Sequence, residues 1–264
     1  MIREASVAGA FYPGRCNDIE EMIGNFNVIL DRALSDSDVW NIEPKAIISP
    51  HAGYIYSGFT ANIVYRVLAN SNPKRVVVIG PSHRVYLNGI SGSFFDSYET
   101  PCGDLKIDKE YLTYLSSLFD IAFVKEAHNE HSTEVQMPFI KHYMGNASVI
   151  ELVYGDLDPL TLSKICIEVL SDPNNAIVIS TDLSHYYSLK EAQKIDRFCL
   201  KGVNDLDIDM LHQGCEACGK IGVEAIILAA KTLGLKPRIL DYRTSADASG
   251  DETTVVGYMS AVFL

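Results

Sequence analysis

What most constrains this chain is a set of short apolar runs that never alternate with polar residues and that stop at turn formers: Ala46-Ile47-Ile48, Val76 to Ile79, Val149 to Val153 and Ala176 to Ile179. A strand with one face in water alternates apolar and polar side chains, whereas a strand covered on both faces is apolar throughout. These runs therefore predict buried strands. Between and after them, apolar residues recur with helical spacing over Ile19 to Leu34, Thr60 to Leu68, Lys109 to Leu118, Leu160 to Leu170, Leu189 to Leu200 and Val223 to Leu233. The expected fold is α/β, with a mostly parallel central sheet and helices on both faces. Arg238 to Tyr242 and Thr254 to Phe263 are expected to complete the sheet, and Thr244 to Thr253, rich in Ser, Asp and Gly, to form a mobile loop. No repeat or linker divides the 264 residues, so 1–264 reads as a single domain.

Charge narrows the function. With 22 Lys and Arg against 34 Asp and Glu, the net charge of −12 repels phosphate backbones and anionic lipid, so neither nucleic acid nor a membrane surface is an expected partner. No apolar run reaches the roughly 18 residues that a membrane helix needs. The start, Met1-Ile2-Arg3-Glu4-Ala5, mixes both charge signs and lacks the layout of a secretory signal, which predicts a cytoplasmic protein. Six cysteines are too sparse for a disulfide scaffold and are expected to stay as thiols in that compartment.

Three predicted strands end alike: Ser49-Pro50 leads into His51, Gly80-Pro81-Ser82 into His83, and Ser180-Thr181 into Asp182 and His185. In an open α/β sheet the ligand crevice lies outside the carboxyl ends of the strands, so these four residues are expected to converge. Pro50 and Pro81 stiffen the turns, and Gly53 and Gly58 are expected to let backbone approach a ligand. Two imidazoles with one anionic ligand and open positions suit a non-haem iron or related site. Asp182 and Cys218 compete for the third ligand, Cys218 because a helix start at Ile221 would favour its thiolate. Cys215 and Cys218 also form a C-x-x-C, but no second one completes a zinc site. Cys215 reads as a plain buried thiol, and Cys16, Cys102, Cys166 and Cys199 as core residues. In His128-Asn129-Glu130-His131-Ser132-Thr133-Glu134, either Ser132 or Thr133 caps a helix, or His131 contacts substrate or donates a proton with Glu134 orienting it. His142 and His212 fit surface or satisfied core positions of amphipathic helices, and Tyr54 and Tyr56 either packing or pocket walls. The chain has no phosphate-binding glycine loop of the usual kinds and no G-x-S-x-G elbow.

Together, Arg3-Glu4-Ala5-Ser6 with Ala8-Gly9 and Tyr12, Pro50-His51-Ala52-Gly53-Tyr54, Gly80-Pro81-Ser82-His83, Glu130-His131-Ser132, Ser180 to His185, Cys218-Gly219 and Val255-Val256-Gly257-Tyr258 resemble the Memo family. Its microbial branch is often called AmmeMemoRadiSam system protein B, and its fold is similar to that of class III extradiol ring-cleaving dioxygenases. The resemblance implies a metal, iron or copper, at His51, His83 and Cys218, with Asp182 and His185 lining the pocket and His131 facing it. Where the family commonly continues Cys-Gly-Arg-x-Pro, this chain has Lys220 and Gly222.

Three functions are weighed. In a metal-dependent, dioxygenase-like oxidoreductase, His51, His83 and Cys218 hold Fe(II), and His185 serves as acid/base with Asp182 orienting it. In a non-catalytic protein the same pocket holds copper or iron, or takes a peptide or metabolite; a thiolate beside imidazoles suits Cu(I). The third is metal-assisted hydrolysis. The ligand is an unidentified small molecule or peptide, and self-association into a homo-oligomer is compatible with the sequence.

Overall fold

The computed structural model describes residues 1–35 and 37–264. Its strands are β1 (Ile2–Arg3), β2 (Ala46–Ser49), β3 (Arg75–Pro81), β4 (Ile90–Gly92), β5 (Ser97–Tyr98), β6 (Leu105–Lys106), β7 (Ile121–Ala122), β8 (Ser148–Tyr154), β9 (Asn175–Ser180), β10 (His185–Tyr187), β11 (Pro237–Thr244) and β12 (Val255–Phe263). The α-helices are α1 (Cys16–Ala33), α2 (Tyr54–Leu68), α3 (Lys109–Leu118), α4 (His131–Glu134), α5 (Met137–Met144), α6 (Pro159–Leu170), α7 (Leu189–Asn204), α8 (Ile208–His212), α9 (Lys220–Leu233) and α10 (Ala246–Ser249).

The main sheet runs β10-β12-β2-β9-β3-β8-β4-β7, with β11 also paired to β12. Its centre, β2-β9-β3-β8, is parallel, and the four apolar runs expected as strands supply it. On the flanks β12 runs antiparallel to β2, β11 and β10, and β4 antiparallel to β8, while the edge strand β7 is parallel to β4. The C-terminal runs thus complete the sheet, which is mixed. The physical reason lies in connection length, since only a long crossover returns a strand in parallel, and β11 and β12 are joined by a short one.

Side chains of the central strands point alternately to two cores. Ile47, Val76 and Val78 pack with Ile19, Ile23 and Val64 on one face, while Ile48, Val77 and Ile79 pack with Leu162, Ile165 and Ile226 on the other. Each such side chain contributes about 1.5–3 kcal/mol by leaving water, so a one-residue slip of register is strongly opposed. A three-stranded sheet, β1-β5-β6, stands apart.

Two expectations change. Thr244 to Thr253 contains α10 and is ordered by its acids: Asp247 accepts from the Thr244 N–H at 2.8 Å, and Asp251 from the Thr253 N–H at 2.8 Å. Four cysteines expected as thiols form disulfides, Cys16–Cys102 and Cys199–Cys215, across 86 and 16 positions of sequence. Only folding brings these partners together, so spacing along the chain carried no trace of them. Cys166 is a free, buried core residue as expected.

Candidate metal centre

The strand ends expected to converge do so. Ser49, at the end of β2, is in register with Ser180, at the end of β9, and Ser82 just beyond β3 donates its N–H to Tyr154 O at 2.8 Å. His51, His83 and the Asp182 turn therefore leave neighbouring strands at one edge of the sheet. His131, the first residue of α4, comes down onto the same edge. One ring nitrogen from each of His51, His83 and His131 lies within 4.8 Å of the others, so the three can hold a metal ion. The ring centroids are 4.8 to 5.5 Å apart.

Hydrogen bonding settles which nitrogen faces the centre. Glu130 accepts from the backbone N–H of His83 at 2.6 Å and lies 3.1 Å from His83 Nδ1 and 2.9 Å from His131 Nδ1. Ser180 Oγ donates its one proton to the Ser132 carbonyl and accepts from Gln136 Nε2 at 2.9 Å. Toward His51 Nδ1, 2.9 Å away, it can therefore only accept. His51 is thus the Nδ1–H tautomer, with its lone pair on Nε2. All three rings are gripped at Nδ1 and offer Nε2, the arrangement that outer-shell partners impose on metal-binding histidines.

Cys218 Sγ stands 3.2 Å from His51 Nε2 and accepts from the Asp182 N–H at 3.3 Å. Gly219 makes this approach possible: a Cβ there would meet Ser180 O at 2.7 Å and Thr181 Cβ at 2.7 Å. Gly80 does the same for α4, since its Cβ would meet Ser132 Oγ at 2.7 Å. The carbonyls of Pro50 and Pro81 take hydrogen bonds from Gln136 Nε2 at 2.9 Å and Ser132 Oγ at 2.8 Å, so both prolines brace the α4–α5 segment as well as their turns.

Burial sets the charges. His51 is driven well below the usual imidazole range by desolvation first and then by His83 and His131. Asp182 is pushed up to about 6 by burial, against the 2.7 Å hydrogen bond it accepts from the His51 backbone N–H. Burial also opposes ionisation of Glu130, but the hydrogen bonds from His131 and His83 win and hold it well below the carboxylate range. Cys218 is pushed up to about 12 by burial and then by Asp182, contrary to the expected lowering at a helix start. The helix begins only at Lys220, after an N-cap at Gly219, and its dipole does not overcome the loss of water.

Other expected roles shift. Asp182 is bonded to the His51 backbone, and among the described residues no hydrogen bond joins it to His185. His185 is half-buried at the start of β10, with its ring 5.7 Å from that of Tyr186, and its charge bears on Asp182. Glu134 does not orient His131: it turns away to accept from the N–H groups of Ser6 and Val7, each at 2.8 Å, and from Tyr12 Oη at 2.8 Å. Glu130, not Ser132 or Thr133, caps α4, accepting from the Ser132 N–H at 3.1 Å. Thr133 reaches Glu151, which pairs at 2.8 Å with the fully buried His128. Gly58 faces Phe26, serving helix packing rather than a ligand, and Tyr54 stacks on Phe139 at 4.5 Å, with Tyr56 41% exposed. Glu130 and Ser180, which hold the three rings at Nδ1, were given no role of their own by sequence reasoning; their only signs were their places in the Glu130-His131-Ser132 and Ser180 to His185 motifs. A cavity of about 250 Å³ opens beside Cys218, between Pro81, Tyr86, Leu87, Tyr154 and Ile221.

The fold and the edge cluster define a mixed α/β protein with a histidine-rich crevice at the carboxyl ends of its parallel strands. The family model for Memo-like proteins matches residues 3–262, and the chain belongs to the Memo family. It is 33% identical over 273 residues to a MEMO1 family protein, TV1383, of Thermoplasma volcanium, covering 99% of this chain and 98% of that one. It is 35% identical to a MEMO1 family protein of Aquifex aeolicus, covering 100% and 99%. Among solved structures it is similar to the uncharacterized protein JW3007 of Escherichia coli K12, with a TM-score of 0.54 and 12% identity over 82% of this chain and 98% of that one, which is a likeness of fold.

Proposed function

We propose that this chain is a metal-dependent oxidoreductase of the dioxygenase-like kind, in which His51, His83 and Cys218 hold an iron or copper ion in a cytoplasmic protein. The reading rests on one observation: three imidazoles pinned at Nδ1 and a thiol 3.2 Å from His51 Nε2 share one edge of the sheet. A nitrogen and sulfur donor set of this kind fits iron and copper and not hard cations such as Mg²⁺. When bound, such an ion supplies one-electron chemistry and a Lewis-acid position for a small substrate. The chain's own residues do the rest. Glu130 fixes two rings, Ser180 fixes the third, and Asp182 holds the His51 backbone and receives a proton at its carboxyl group near neutral pH. His185, half-buried beside them, is the acid/base group. The adjoining cavity beside Cys218 admits a small molecule.

The test is anaerobic purification, loading with Fe(II) or Cu(I), and oxygen uptake with catechol-type substrates. Uptake by the iron form that His185→Gln abolishes without loss of metal supports the reading. Absence of uptake overturns it, and tight Cu(I) binding lost in Cys218→Ser without turnover establishes the second reading, non-catalytic metal binding. That second reading is favoured by the thiol beside the imidazoles. His131→Gln assigns its own residue: lost metal makes it a ligand, and retained metal with lost turnover makes it a proton carrier.

A further inference from the structure

We propose that Cys16, Glu20 and Cys102 form a second metal site, for a soft divalent cation such as zinc, which the Cys16–Cys102 disulfide closes and reduction opens. Cys16 and Glu20 lie at positions i and i+4 of α1, and so share one face of that helix. Cys102 meets them from the turn between β5 and β6. The two sulfurs and one Glu20 carboxylate oxygen all lie within 4.8 Å of one another. Both cysteines are only half-buried and Glu20 is exposed, so an ion has access from solvent. Glu20 also has a partner outside the cluster, its Oε2 2.7 Å from Nδ1 of His142 on α5, an outer contact of the kind that ligating carboxylates make. Two sulfurs with one oxygen is a donor set that selects zinc or Cu(I) over hard cations, and three protein donors leave a position for water. None of these residues belongs to the histidine centre.

The redox step balances. With a dithiol reductant, two electrons and two protons pass to Cys16 and Cys102, the S–S bond breaks, and the reductant becomes the disulfide. Zinc then displaces the two thiol protons into solvent. Cys16, first residue of an 18-residue helix, is placed where the dipole favours the thiolate. In the oxidised protein the sulfurs carry no such charge, and Glu20 keeps its pairing with His142.

The experiment uses full-length Cys199→Ser/Cys215→Ser protein, so that the other disulfide frees no thiols. Zinc bound per chain is measured before and after reduction with a phosphine, which becomes its oxide and is removed by gel filtration before zinc is added. One additional zinc on reduction is expected, absent in the further Cys102→Ser variant and bound at least tenfold more weakly in Glu20→Gln. Should Cys102→Ser fail to fold, iodoacetamide labelling of the reduced parent decides, with zinc expected to protect Cys16 and Cys102 together. No additional zinc on reduction, an additional zinc that survives Cys102→Ser, or labelling that zinc leaves unchanged would overturn the proposal.

Discussion

At the scale of single residues, Glu130 is the organiser of the histidine centre, because one carboxylate holds both His83 and His131 at Nδ1. Glu130→Gln keeps the shape and removes the charge, and should weaken metal binding by about 10–100-fold while leaving the fold intact, as read by competition with a chelator. Asp182 makes a pH prediction. Its folded pKa, about 6, lies above the ordinary value of 3.8, so the native state holds the extra proton between those values. Metal-free parent protein should therefore lose stability relative to Asp182→Asn as pH rises from about 4 to about 6, by on the order of 2–3 kcal/mol in urea unfolding. A constant difference across that window contradicts it. His51 and His83 stood out in the sequence because ligand residue types followed strand ends, whereas Cys218 stood out only as a thiol ahead of a helix, in competition with Asp182, and through the family resemblance. Glu130 did not, because what makes it matter is a pair of hydrogen bonds across 47 positions and one to its neighbour.

Among elements, the close crossing of β9 by the loop before α9 is what delivers Cys218. It depends on Gly219, whose missing side chain leaves room for Ser180 O and Thr181. Gly219→Ala should cost about 1–3 kcal/mol and displace Cys218 from His51, seen as a lower thermal midpoint together with lost metal. An unchanged midpoint would show that the loop can move aside freely. The central strands and most helices were legible because burial on both faces writes itself as uninterrupted apolar runs; Lys109–Leu118 is matched residue for residue by α3. The antiparallel flanks were not legible, since β11 and β12 read as strands without any mark of direction. Nor was α4 as a four-residue helix capped by Glu130, because so short a segment has no periodicity to read.

Across the whole molecule, the N-terminal segment is fastened to the back of the centre. Glu134 accepts from Ser6, Val7 and Tyr12 and pairs with Arg3 at 2.8 Å, both side chains being buried. Glu134→Ala strands a buried guanidinium and should cost about 3–5 kcal/mol in urea unfolding. A loss below about 1 kcal/mol would mean that the clamp is incidental. Sequence showed Arg3, Ser6 and Tyr12 as part of a family resemblance but not what they hold, since their common partner lies more than 120 positions away. Among the described residues no helix is long and apolar enough to cross a membrane. The most direct measurement is a crystal structure of the iron- or copper-loaded protein with anomalous data collected at that metal's absorption edge. A single peak within bonding distance of His51 Nε2, His83 Nε2 and Cys218 Sγ is predicted, and a peak elsewhere, or none at these atoms in fully loaded protein, would contradict the metal centre.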